Sequence, residues 1–123
     1  MNSFKEVLQN QDVNHCPKQL ILGLSDTMNA VSGKWKLPII VALSFGEKRF
    51  GEISKEVHGI TDRMLSKELS DLVLNGLVQR TVKNTFPVVV TYKLTKHSES
   101  LDEVIEALRK WGVLHRKNTI KAR

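Results

Sequence analysis

The apolar residues of this chain change their spacing several times, and each change marks an element. Leu24, Met28 and Val31 recur at helical spacing. Ser25 or Asp26 can cap that helix and Gly33 can stop it, which predicts a helix over about 25–32. A second helix begins near Lys34 or Trp35. Pro38 falls in its first turn, where a missing N–H costs little. Ile39, Ile40, Ala42 and Leu43 leave it apolar on most sides, so it should be buried, and Gly46 ends it. Lys48-Arg49-Phe50 is short enough for an edge strand. Residues 51–57 predict a third helix, with Ile53 and Val57 four apart, and His58-Gly59-Ile60 reads as a tight turn. Thr61 is placed to cap a fourth helix that reaches Asn75. Asp62 sits in its first turn, where the helix dipole favours an anion, and Gly76 supplies the stop.

The spacing then changes to that of strands. Segments 77–83 and 88–94 flank Asn84-Thr85-Phe86-Pro87, and the second is rich in β-branched residues, so a β-hairpin is expected. A last helix is predicted over 101–115, with Leu101, Val104, Ile105, Leu108 and Gly112 on one face. The fold class is therefore mainly α with a small β-hairpin wing, an α+β winged helix-turn-helix. The third helix, the turn and the fourth helix form the helix-turn-helix, and the hairpin that follows directly is the wing. Residues 1–15 form a polar N-terminal arm, residues 16–116 the domain, and residues 117–123 a basic C-terminal tail that should fray.

The fourth helix has two unlike faces. Leu65, Leu69, Leu72 and Val73 form the face expected to pack on the domain. Arg63, Ser66, Lys67 and Ser70 form the opposite face. A major groove about 12 Å wide admits a helix presenting such a face, and Arg and Lys can donate to guanine O6 and N7. Base contacts come mainly from the N-terminal residues of such a helix, which favours Thr61, Arg63, Ser66 and Lys67 over Asp71. Glu68 and Asp71 mean that this polar face is not purely basic. At the wing, Lys83, Asn84 and Thr85 are placed to reach a sugar-phosphate backbone or a minor groove. Lys34, Lys36 and Arg49 are further candidates for phosphate contacts.

Charge agrees with a polyanion partner. The chain has 123 residues, a formal net charge of +6 and an isoelectric point near 9.6. The first 60 residues hold 7 Lys/Arg against 6 Asp/Glu and the remainder 12 against 7, so the excess lies in the second half. No apolar run is long enough for a membrane span, and residues 1–11 lack the apolar core of an export signal. One cysteine, Cys16, excludes an internal disulfide framework, and the expected location is the cytoplasm. His15, His58, His97 and His115 show no metal-ligand spacing. No phosphate loop, zinc-protease motif or nucleophile elbow is present, so neither a metal, a cofactor nor an enzymatic activity is expected. The readings left open are a DNA-binding regulator, a winged helix used for protein interaction, and a regulator gated mainly by a small molecule or a thiol-reactive signal. Trp35, Trp111, Met28 and Phe45 are the residues that would line a small-molecule pocket.

Five short blocks sharpen this. Ser32-Gly33-Lys34-Trp35-Lys36 resembles the Gly-Lys-Trp signature of the HxlR-type winged-helix regulators. Lys48-Arg49-Phe50-Gly51-Glu52-Ile53 is similar to that family's Arg-Phe-x-Glu-Leu/Ile segment. Gly59-Ile60-Thr61-Asp62-Arg63-Met64-Leu65-Ser66 is similar to its Gly-Ile-Ser-x-Arg/Lys-Met-Leu segment. Asn75-Gly76-Leu77-Val78 and Tyr92-Lys93-Leu94-Thr95 match two more blocks, in the family's order, over roughly one hundred residues. The resemblance implies a MarR-like winged helix and a homodimer on a pseudo-palindromic operator. It also implies dimerisation through the terminal helices, which makes Leu24, Met28, Leu101, Val104, Ile105, Leu108 and Trp111 the interface candidates. Some members sense oxidants through a Cys-Pro pair near the N-terminus, and Cys16-Pro17 resembles it. The distance from that pair to Gly33-Lys34-Trp35 is longer than is usual in the family.

Overall fold

The computed structural model describes residues 18–121. Contacts divide the chain into two units, residues 1–32 and 33–123. The residues 1–15 expected as an arm, and Cys16, lie outside the described residues. In the first unit, α1 spans Lys18–Val31. It starts well before the Ser25 or Asp26 cap expected from the sequence. Leu20, Ile21, Leu22 and Leu24 favour helix strongly enough to carry it through Gly23. Thr27 takes up its own hydroxyl by donating to the Gly23 carbonyl at 2.9 Å, the usual accommodation of a Thr inside a helix.

In the second unit the order is α2 (Lys36–Leu43), β1 (Lys48–Arg49), α3 (Phe50–Glu56), α4 (Asp62–Leu74), β2 (Val78–Lys83), β3 (Val89–Leu94), a 3-10 turn (His97–Leu101) and α5 (Asp102–Lys121). The sheet is antiparallel with order β1-β3-β2, so β1 is an edge strand beside the hairpin. Lys48 pairs with Tyr92, and Thr81 and Lys83 pair with Thr91 and Val89.

The core is built where the helical stripes meet. Ile39, Ile40 and Leu43 of α2, Ile53 of α3 and Leu65, Leu69 and Leu72 of α4 are buried together with Leu77 and Val78 at the foot of the hairpin. Each such side chain contributes about 1.5–3 kcal/mol by leaving water. Val73, expected in this face, is 37% exposed, and Glu68 takes the buried position instead.

Both ends of α4 are fixed locally. Thr61 Oγ1 accepts from the Met64 N–H at 3.2 Å, which satisfies one free donor of the first turn. At the other end the Leu77 N–H reaches the Leu72 carbonyl at 3.0 Å and the Gly76 N–H reaches Val73 at 3.0 Å. Gly76 has φ +74°, a conformation that favours glycine, and together these bonds make a Schellman motif. Thr95 then closes the foot of the wing. Its N–H donates to the Leu77 carbonyl at 3.1 Å and its hydroxyl to the Gly76 carbonyl at 2.6 Å.

The C-terminal helix differs from expectation at both ends. Leu101 falls in the 3-10 turn, where buried Ser98 donates its hydroxyl to the Thr95 carbonyl at 2.6 Å. α5 runs on to Lys121, past residue 117 where a frayed tail was expected. No glycine or proline follows Gly112 to stop it, and the Thr119 hydroxyl is taken up by the His115 carbonyl.

Candidate nucleic-acid interface

The turn between α3 and α4 sets the site. Gly59 has φ +87°, a backbone conformation that favours glycine, and a β-carbon there would make only ordinary contact with the Trp35 ring at 3.8 Å. Ser54 of α3 donates to the Asp62 carboxylate at 3.3 Å, tying one helix to the first turn of the next. The N-terminus of α4 is thereby held in place. Thr61, Arg63, Ser66, Lys67 and Ser70 are all exposed along its outer face. Thr61, Arg63, Met64 and Lys67 line a concavity of about 550 Å³. Met64 was not anticipated. Its partly covered side chain lines the same concavity as Arg63 and Lys67.

Two of the three acidic residues of α4 are drawn towards α2, and the third, Asp62, is exposed in the first turn. Glu68 is buried and receives the Lys36 ammonium at 2.8 Å, and Asp71 stands 3.5 Å from the same nitrogen. The hydrogen bond to Glu68, then the pull of both carboxylates, holds the Lys36 ammonium above its ordinary pKa. This corrects two sequence expectations. Lys36 is not a free cation for phosphate, because its charge joins α2 to α4. The outer face of α4 is also more uniformly basic than the sequence suggests, because Glu68 is turned inward.

The other cations differ in their commitments. Lys34 is exposed, with its ammonium 4.7 Å from the centre of the Trp35 ring. Arg49 is exposed, and its backbone N–H donates to the Glu52 carboxylate at 3.0 Å at the start of α3. Lys83, Asn84 and Thr85 are exposed at the end of the hairpin. Near the wing's base, Glu47 accepts from the Thr91 hydroxyl, which is the main cause holding its carboxyl below the ordinary glutamate range. Lys83 and Lys93 lower it further.

The residues expected at a subunit interface lie on two helices, each considered alone. Leu24 and Met28 of α1 are more than half exposed. On α5, Val104, Leu108 and Trp111 are exposed, while Leu101 in the preceding turn and Ile105 are partly covered. Trp111 stacks on His115 with ring centres 4.7 Å apart. Of the four residues suggested for a small-molecule pocket, Trp35 and Phe45 do meet. They line an apolar groove of about 590 Å³ with Leu37, Pro38 and Val41. Trp111 lies on α5 and Met28 on α1. No helix among the described residues is long and apolar enough to cross a membrane.

Comparison with known proteins agrees with this architecture. The model of the HxlR-like helix-turn-helix family matches residues 30–119. The HTH-type transcriptional regulator YtcD of Bacillus subtilis is 33% identical over 98 residues, covering 80% of this chain and 78% of its own. Among solved structures, the redox regulator HypR in its reduced form superposes with a TM-score of 0.74 at 30% identity, over 82% of this chain and 99% of that one. A MarR-family regulator of Enterococcus faecalis V583 gives 0.70 at 31% identity, over 90% and 99%. The chain belongs to the HxlR-like helix-turn-helix family and is a transcriptional regulator with a MarR-like winged-helix fold.

Proposed function

We propose that this regulator is a cytoplasmic homodimer that binds a pseudo-palindromic duplex operator, with α4 in the major groove and the wing on the backbone or minor groove beside it. The observation that carries the reading is the outer face of α4. Arg63, Ser66, Lys67 and Ser70 stand exposed along it, while Glu68 is turned away and paired with Lys36. Such a face suits base edges and phosphates. Exposed apolar residues on α5 and, taken separately, on α1 are the candidates to meet a second copy, and one dimer presents two α4 helices.

Selection of bound duplexes from a random pool tests this. An enriched inverted repeat, with half-site centres about 10 base pairs or a small multiple apart, is expected. Affinity should fall by about one log unit per log of salt for each phosphate contact. No enrichment, with binding indifferent to salt, would instead favour a winged helix that binds protein.

A second reading concerns the input signal. A solved relative, the redox regulator HypR, is known in oxidised and reduced forms, at 32% and 30% identity. By that likeness Cys16 is the candidate thiol, and the groove at Trp35 and Phe45 the candidate site for a small effector. Operator affinity unchanged after diamide treatment or alkylation of Cys16 would remove the thiol from consideration.

A further inference from the structure

The tip of the wing carries a residue that its fold does not use. Phe86 is fully exposed, at 104% of its reference area. Val88 beside it is 61% exposed. The ring does not lie at the end of a loose loop. The Thr85 hydroxyl donates to the Pro87 carbonyl at 2.8 Å across the turn, and the register holds from Val78 with Leu94 up to Lys83 with Val89. The foot of the same hairpin is tied to the C-terminus of α4 through Thr95, Gly76 and Leu77. The backbone that carries Phe86 is thus held by the hairpin and its tie to α4, while the ring itself projects fully into solvent.

Its electrostatic setting selects the partner. From Leu72 to Ser98 the chain contains no carboxylate side chain, and Arg80, Lys83, Lys93 and Lys96 are its charged residues. An apolar ring at the tip of a hairpin whose own charges are all cations, with the Glu47 carboxylate taken up by the Thr91 hydroxyl further down the sheet, suits a partner that is anionic outside and aromatic within. Stacked bases behind a phosphate backbone have that make-up. Apolar wedges of this kind enter the minor groove between base steps and kink the duplex.

We propose that Phe86 inserts as a wedge into the minor groove flanking the site of α4, and that it selects a pyrimidine–purine step there. Such steps unstack most easily, so the wedge reads deformability rather than hydrogen-bonding groups. The inference rests on the DNA-binding reading above.

The test uses the full chain and the duplexes that selection yields. Wild type, Phe86→Ala, Phe86→Leu and Lys83→Ala are each carried through selection. Each is then titrated against the enriched duplex with 2-aminopurine placed in turn at the flanking positions. Wild type should enrich a pyrimidine–purine step outside the α4 half-site and raise the probe's fluorescence severalfold at that step alone. Phe86→Ala should lose both the step preference and the fluorescence rise and bind about tenfold more weakly, while Phe86→Leu retains most of each. Lys83→Ala should weaken binding and keep the step preference. Because Phe86 touches nothing in the fold, the melting temperature should be unchanged in both Phe86 variants.

If wild type enriches an inverted repeat but Phe86→Ala gives the same profile and fluorescence, the wedge is overturned and DNA binding stands. If wild type enriches nothing, both readings fall. A Phe86→Ala protein that changes oligomeric state with operator affinity intact would place the ring at a protein contact and overturn the proposal. Loss of binding to anionic vesicles, with DNA binding retained, would do the same by assigning the ring to a membrane surface.

Discussion

Two arginine and lysine residues on this surface should behave differently when removed. Arg63 stands exposed in the first turn of α4, the part of a recognition helix from which base contacts usually come. Arg63→Ala should cost about 1–3 kcal/mol of operator binding and relax specificity at one position. Lys83→Ala should weaken binding evenly across sequences and lower the slope of log affinity against log salt by about one. Fluorescence anisotropy on the selected operator and on single-base variants separates the two outcomes. A third residue belongs to stability. The Thr91 hydroxyl is the largest influence lowering the Glu47 pKa. A depressed carboxyl stabilises the fold above its ordinary value of about 4.5 and loses that contribution as pH falls through its folded value. Thr91→Val should therefore flatten the acid limb of a stability–pH curve, measured by urea unfolding at a series of pH values. It should leave the alkaline limb alone.

Between elements, one little-exposed ion pair joins α2 to α4 beside the apolar core. The side chains of Lys36 and Glu68 are only 12% and 11% exposed. Lys36→Ala leaves a carboxylate in a nearly dry place and should cost about 2 kcal/mol of unfolding free energy. Lys36→Met combined with Glu68→Leu should restore most of it, because an apolar pair of similar size often replaces a buried ion pair without loss. Equilibrium denaturation of the single and double variants checks this. The pair was hidden in the sequence for a physical reason. The stripe at Leu65, Leu69 and Leu72 has Glu68 at its natural fourth position, yet a lone carboxylate is refused burial, so Val73 looked the better candidate. Only the packing of α2 beside α4 brings Lys36 within reach. The helix-turn-helix and wing were legible because their signals are local: Thr61 as cap, Gly76 as stop, and a β-branched run after a turn. The start of α1 is not legible at Ser25 and Asp26, because their cap preference is a weak local signal beside the helix-forming residues before them. Arg63, Ser66, Lys67 and Ser70 were legible as one face from spacing alone. Phe86 was hidden as an apolar residue within a turn of polar composition.

At the scale of the molecule, the proposed dimer makes a prediction for the exposed apolar residues of α5. Leu108 and Trp111 are 48% and 62% exposed on a helix of 20 residues. Leu108→Glu should shift sedimentation from dimer to monomer at micromolar concentration while leaving the far-ultraviolet circular dichroism intact. A monomeric wild type would remove dimerisation from the account. The ties of Thr95 to Gly76 and Leu77 have a consequence for the operator itself. They make the helix and the hairpin one gauge of fixed length. Inserting a single base pair between their two landing places would move the second by about 3.4 Å along the axis and turn it by about 35°. Regulatory DNA bound by such a gauge can drift by substitution, one position at a time. It cannot drift by insertion or deletion, so its half-sites should keep their length even where their letters change.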